Sequence, residues 1–184
     1  YADLPAVVEA AKRAPGTIPH ASSGIGSIYH AVFVLLSQSA GIELLHIPYT
    51  GGAPSLQALM SGTVELAVLA PEEMAGLAQA GEVRPLAVAS AERIPVYPDV
   101  PTLRELGWDV VVENMKGLSG PAGLPDDVTA TLHDRFHRGM QEPAWKTFLD
   151  RTGAMDGYLD GPGFQAAMDA VLDALRATVR RPPA

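Results

Sequence analysis

The chain has 184 residues, 47% of them hydrophobic and 18% charged, with a formal net charge of -8. That length suits one domain or two small ones and leaves enough apolar sequence for a core. The acidic balance argues against a nucleic-acid partner or an anionic membrane surface, and the lack of cysteine excludes disulfides and thiol chemistry.

Asp3 can cap a first helix, with Pro5 early in it and Leu4, Val7, Val8 and Ala11 on one face. Ala14-Pro15-Gly16 stops it. A strand follows at about 17–22 and runs into Ser22-Ser23-Gly24-Ile25-Gly26-Ser27. The next helix, Ser27 to about Ser39, is capped by the Ser27 hydroxyl and ends at Gly41. A second strand, 44–49, ends at Tyr49 and leads into Thr50-Gly51-Gly52 and a helix to Met60. A third strand, 64–70, is apolar apart from Glu65, as buried parallel strands tend to be. It ends at Ala70, where Pro71-Glu72-Glu73 opens a helix to Ala80. A fourth strand is expected at 84–90.

Four strand–helix alternations with short links predict an α/β fold with a mainly parallel sheet flanked by helices. Beyond it, Pro95, Pro98 and Pro101 mark an irregular arm, and Thr102 can cap a short helix to Leu106. Residues 110–113 and 116–119 read as extended, and 120–125 as a loop. Helices at 126–140, 143–152 and 162–180 finish the chain. The expected division is an α/β lobe over 1–108, a hinge or crossover over 109–125 and C-terminal helices over 126–184. No apolar run approaches the ~20 residues of a membrane span. The chain starts at Tyr1 and not Met, which suggests a processed or cut protein, so the lack of a leader is uninformative.

The two glycine turns hold the chemistry. Each joins a strand to a helix at the carboxyl edge of the sheet, where α/β proteins bind ligands. Gly24, Gly26, Gly51 and Gly52 keep side chains away from the backbone, and a helix start offers N–H groups and a positive dipole end. Such turns suit a carboxylate or phosphate. An ordinary tight turn is the plain reading of either one; two on one sheet edge favour a cleft.

His30 can touch a ligand or brace the loop, and bracing is favoured. His20 and His46 fit core positions. Tyr49 can wall the cleft or cap the core. His133 and His137 are four apart on a helix, a spacing open to a metal, but no third ligand accompanies them and a solvated face is favoured. Trp108 and Trp145 read as packing residues. No cofactor fingerprint, Walker motif or nucleophile elbow is present.

These residues resemble a known family, the solute-binding receptors of tripartite tricarboxylate transporters. The similar pieces are 14–16, Ser22 to His30, His46-Ile47-Pro48-Tyr49 with Gly51 and Pro54, 61–66 and 81–88. The arm from Arg93 to Gly107, with Pro98-Asp99-Val100-Pro101-Thr102 and Glu105, is the most specific. Gly117 to Pro125 resembles the family's Gly-x-x-x-Pro-Ala-Gly-x-Pro loop. The resemblance implies a type II periplasmic-binding-protein lobe, an extracytoplasmic and non-enzymatic role, a small carboxylate ligand and delivery to a membrane permease. Its expected ligand contacts are Ser22, Ser23, Gly24, Gly26, Ser27, His30, Tyr49, Gly51, Gly52 and Ala70, with no cofactor and no metal.

There are departures. The family carries a further stretch ahead of Tyr1 that forms most of a first lobe, so truncation is the expected account. Asn114-Met115 stand where an aromatic pair is common, and an Asp is common near Ala70. The tail helices would pack on the missing lobe through Val128, Leu132 and Phe136, and through Phe164, Met168, Val171, Leu172 and Leu175. A homodimer through those helices is expected in its absence. The competing reading is the effector domain of a transcription regulator. A hydrolase built on Ser27 and His30 ranks below both.

Overall fold

A computed structural model describes residues 1–179, except the side chains of 174, 175 and 177–179. It holds seven helices and three strands: α1 (Leu4–Arg13), β1 (Pro19–Ser22), α2 (Ile28–Ala40), β2 (Leu45–Pro48), α3 (Gly52–Met60), β3 (Leu66–Ala67), α4 (Pro71–Gln79), α5 (Asp126–Met140), α6 (Pro143–Thr152) and α7 (Gly161–Val179). The chain divides into two compact units, one over residues 1–114 and one over 115–176.

In the first unit the three strands form one parallel sheet in the order β2-β1-β3. His20 lies opposite His46 on one side and Leu66 on the other. Successive residues of β1 face opposite sides of the sheet. On the His20 side, α1 and α2 bring Leu4, Val7, Ala11, Val32, Phe33 and Leu36 into a core with Ile18, Leu66, Leu103 and Val110. On the Ala21 side, Ala58 of α3 and Val64 form a smaller cluster, against which Tyr49 packs.

Local chemistry explains the helix ends. Asp3 accepts the Ala6 N–H at 2.8 Å, and Leu4, Val7, Val8 and Ala11 are buried as their spacing predicts. Ser27 accepts the His30 N–H at 3.2 Å and Gly41 closes α2 in the left-handed conformation.

Three expectations are corrected. The apolar stretch at 64–70 pairs over only two residues as β3, with the Glu65 N–H to the Pro19 carbonyl extending the ladder. Residues 84–90 are not a strand: one isolated bridge joins Val88 to Thr102. The Val88 N–H donates to the Pro101 carbonyl and the Leu103 N–H to Val88. The proline-rich arm, which cannot supply a regular ladder, takes those bonds in place of the sheet edge. Thr102 and Glu105 do cap each other, Thr102 Oγ1 taking the Glu105 N–H and Glu105 Oε2 the Thr102 N–H, but around a turn and not a helix. Arg93 grips both Glu105 oxygens through Nε and donates to the Pro98 carbonyl. The Thr102 N–H, then Arg93, hold the Glu105 carboxyl below its ordinary value.

In the second unit, α5 and α6 match their expected bounds. Val128, Leu132, Phe136, Met168 and Leu172 are exposed. Phe164 stands against Gly117, where any Cβ would collide with its ring. The expected part of Leu175's side chain and the helix end at Arg180 lie outside the described residues. The expected homodimer draws no support from this structure.

Phe33 is 5% exposed and also covers the His20 ring at a centroid distance of 3.9 Å. Phe33→Ala should cost about 3–5 kcal/mol in urea unfolding at pH 7.5. A loss under about 1 kcal/mol would place the core elsewhere.

Candidate functional site

β1 and β2 end side by side, and each feeds a glycine turn. The first turn closes on itself. Ser22 Oγ stands 2.7 Å from His46 Nε2 and accepts the Gly24 N–H at 3.3 Å. The Ser27 N–H donates to the Gly24 carbonyl, and the Gly26 N–H donates to His30 Nδ1 at 3.2 Å. His30 therefore braces the loop. Those bonds occupy the amides of Gly24, Gly26 and Ser27. Among the described residues, no protein acceptor takes the amides of Ser23, Ile25, Ile28 and Tyr29. This corrects the expectation that Gly24 and Gly26 themselves present open donors. Their part is conformational, with φ of 123° and 79°, values that L side chains rarely adopt.

The second turn is bolted to the first. Ser55, in the first turn of α3, lies 2.9 Å from the Gly51 carbonyl and 3.1 Å from the Ser22 carbonyl through its hydroxyl. The Tyr49 N–H also donates to Ser22. Ser22 and Ser55 are both 0% exposed. Gly51 has φ of 146°, and its amide and that of Gly52 have no protein acceptor among the described residues.

A third segment meets the second turn. Glu73, in the first turn of α4, takes the Ala70 N–H on Oε2 at 2.8 Å and the Tyr29 hydroxyl on the same atom at 2.6 Å. Its Oε1 lies so close to Gly52 that a Cβ there would collide with it. Asn114 Nδ2 donates to the Tyr29 oxygen at 3.3 Å. Burial, then Glu73, push the Tyr29 phenol above its ordinary value, which keeps it a donor. The Ala70 amide is thus already satisfied within the protein.

Three imidazoles stack in a row. His30 stacks on His46 at 4.2 Å and His46 on His20 at 4.9 Å. Burial, followed by His46 and His30, lowers His20 to about 3. Burial also lowers His30 and His46, and His30 adds to the shift at His46. His20 is a core residue as expected; His46 is half-buried.

The structure brings Ser22 to His30, Tyr49, Gly51, Gly52 and Ala70 to one sheet edge. Ser55, Tyr29, Glu73 and Asn114 were missed by sequence reasoning. Each has a partner 33 to 85 positions away, and only Ser55 carried a nearby signal, as a small polar residue behind a glycine turn. The Ser27–His30 hydrolase fails on geometry: Ser27 Oγ takes the His30 backbone N–H, and the ring nitrogen is engaged by Gly26. Ser22 and His46 are paired, but Ser22 has no access to solvent. In the second unit, His133 contacts the Tyr158 hydroxyl at 2.7 Å and His137 stacks on the Tyr158 ring.

A parallel sheet with paired glycine turns at its carboxyl edge is the arrangement at which open α/β sheets take small ligands. The family model described as "Tripartite tricarboxylate transporter family receptor" matches residues 1–174. The chain belongs to that family, whose members are solute-binding receptors and not enzymes. It is 33% identical over 150 residues to a UPF0065 protein in the gbd 5' region of Cupriavidus necator, covering 82% of this chain and 46% of that protein. Among solved structures, the R. palustris protein with adipate superposes with TM-score 0.90 at 25% identity, over 98% of this chain and 60% of that one. MatC from Rhodopseudomonas palustris with bound malate gives TM-score 0.82 at 26% identity, over 96% and 60%. The chain spans about half the length of the curated relatives it matches. Among the described residues, no helix is long and apolar enough to cross a membrane.

Burial of His20, with the neighbouring imidazoles, should make stability pH-dependent. His20 binds a proton near the ordinary value of 6.5 when unfolded and only near 3 when folded. The unfolded chain therefore binds more protons between those values, so stability is present above about pH 6.5 and falls as pH drops. His20 alone should contribute a slope of about 1.4 kcal/mol per pH unit. Urea midpoints from pH 7.5 to 5 should decline in the wild type, and His20→Leu should flatten that decline. An unchanged slope in the variant would contradict this assignment.

Proposed function

We propose that this chain is the ligand-binding lobe of a periplasmic solute receptor. It takes a small carboxylate at the two glycine turns and delivers it to a tripartite tricarboxylate-type membrane permease. The observation that carries the reading is the lock between the turns: Ser55 ties Gly51 to Ser22, so two sets of open amides are held at a fixed spacing on one edge. Family membership and the relatives solved with malate and adipate support a carboxylate as the ligand. The donors are the amides of Ser23, Ile25, Ile28, Tyr29, Gly51 and Gly52, reinforced by the positive ends of α2 and α3.

The other expected residues have supporting parts. Gly24 and Gly26 shape the loop, Ser22, Ser27 and His30 brace it, and Tyr49 and Ala70 back it. On this reading residues 1–108 would be the lobe, 109–125 the crossover, and 126–184 the C-terminal segment whose helices would meet a further lobe. A transcription-regulator effector domain is not favoured by any feature of the site.

Gly26→Leu and Gly51→Leu force side chains onto left-handed backbone at the two turns. Each should weaken adipate or malate binding by calorimetry ~10-fold or more, with native circular dichroism. Unchanged affinity in both would place the ligand elsewhere.

A further inference from the structure

We propose that Glu73 selects the ligand class, favouring a carboxylate that also carries an ammonium group over a plain dicarboxylate. This rests on the receptor reading above and adds to it. Glu73 has an ordinary duty as the residue whose side chain reaches back to cap the start of α4. That duty uses one bond, to the Ala70 N–H. It requires neither the Tyr29 hydroxyl nor contact with Gly52, and the structure supplies both.

The carboxylate is held from two sides. Tyr29, 8% exposed, donates to Oε2 from α2, and the Ala70 amide fixes the same atom. Asn114 in turn donates to the Tyr29 oxygen. With both bonds on Oε2, Oε1 is aimed at the start of α3 beside Gly52, on the edge where the open amides lie. Glu73 itself is exposed to solvent and so within reach of a ligand. An ionised carboxylate only accepts hydrogen bonds.

Two consequences follow for a ligand anchored by one carboxylate at the open amides of the two turns. A second carboxylate brought beside Glu73 Oε1 meets a like charge. An ammonium there meets a fixed acceptor and an opposite charge, the arrangement by which binding sites both attract one ligand and reject another. No Lys or Arg lies among the residues that make the two turns, 22–30 and 49–55, so nothing in them offsets Glu73.

The test uses succinate, L-malate and L-aspartate, one carbon skeleton bearing hydrogen, hydroxyl or ammonium at one position. Calorimetry on the full receptor chain should rank aspartate above malate above succinate, with aspartate over succinate by ~10-fold or more. Glu73→Gln keeps the acceptor for Ala70 and Tyr29 and removes the charge; it should bring the aspartate-to-succinate ratio near one. Tyr29→Phe removes a support and keeps the charge, so the preference should persist. A purely structural Glu73 would leave the ratio unchanged in Glu73→Gln, which overturns the proposal. Equal or tighter succinate binding by the wild type overturns it irrespective of how the variants fold. If succinate, malate, aspartate and adipate all fail to bind the wild type, the carboxylate reading itself falls and takes this inference with it.

Discussion

The structure depends on one buried clamp. Two parallel strands end side by side, and each must turn into a helix without leaving polar backbone stranded. Ser55 answers both needs, with its hydroxyl placed between the carbonyls of Gly51 and Ser22. Ser22 in turn reaches His46 on the neighbouring strand through its own hydroxyl. Both serines are wholly enclosed, so bonds left unmade there would cost the full desolvation of the group. The clamp joins two glycine loops into one edge with a set spacing. The left-handed angles at Gly24, Gly26 and Gly51 are held by that same network.

Electrostatics at this edge come from backbone and dipoles. The residues that build the turns supply no Lys or Arg, and the buried His20 stays neutral because the fold lowers it to about 3. Under the proposed function, helix starts and open amides therefore supply the attraction for an anion. Glu73, held at this edge by Tyr29 and the Ala70 amide, brings a full charge of the opposite sense. Under the proposed function such a lobe would discriminate by where its donors and the Glu73 carboxylate sit, with little contribution from overall attraction in a chain of net charge -8.

Local chemistry was legible in the sequence; long-range pairing was not. Asp3 and Ser27 announced their helices because a cap needs only its own next three residues. The bounds of α5 and α6 followed from periodicity and from Pro143. The fourth strand failed because apolar composition at 84–90 does not say which partner takes its amides, and the arm at 101–103 took them. The site divides the same way. The glycines at 24, 26 and 51 were visible as turn residues. That His30 occupies the Gly26 amide was not, so the open donors shift to Ser23, Ile25, Ile28 and Tyr29. Glu73 read as an acidic first-turn residue, and nothing near it in sequence points to Tyr29, 44 positions earlier.

The central claim is that the open amides on both turns receive the ligand's carboxylate together. Amide-resolved NMR titration of the labelled receptor chain with adipate tests it most directly. The account predicts saturable shifts at Ser23, Ile25, Gly51 and Gly52 with one shared dissociation constant, while α5 and α6 stay unmoved. Saturable binding that leaves those four amides in place would contradict it.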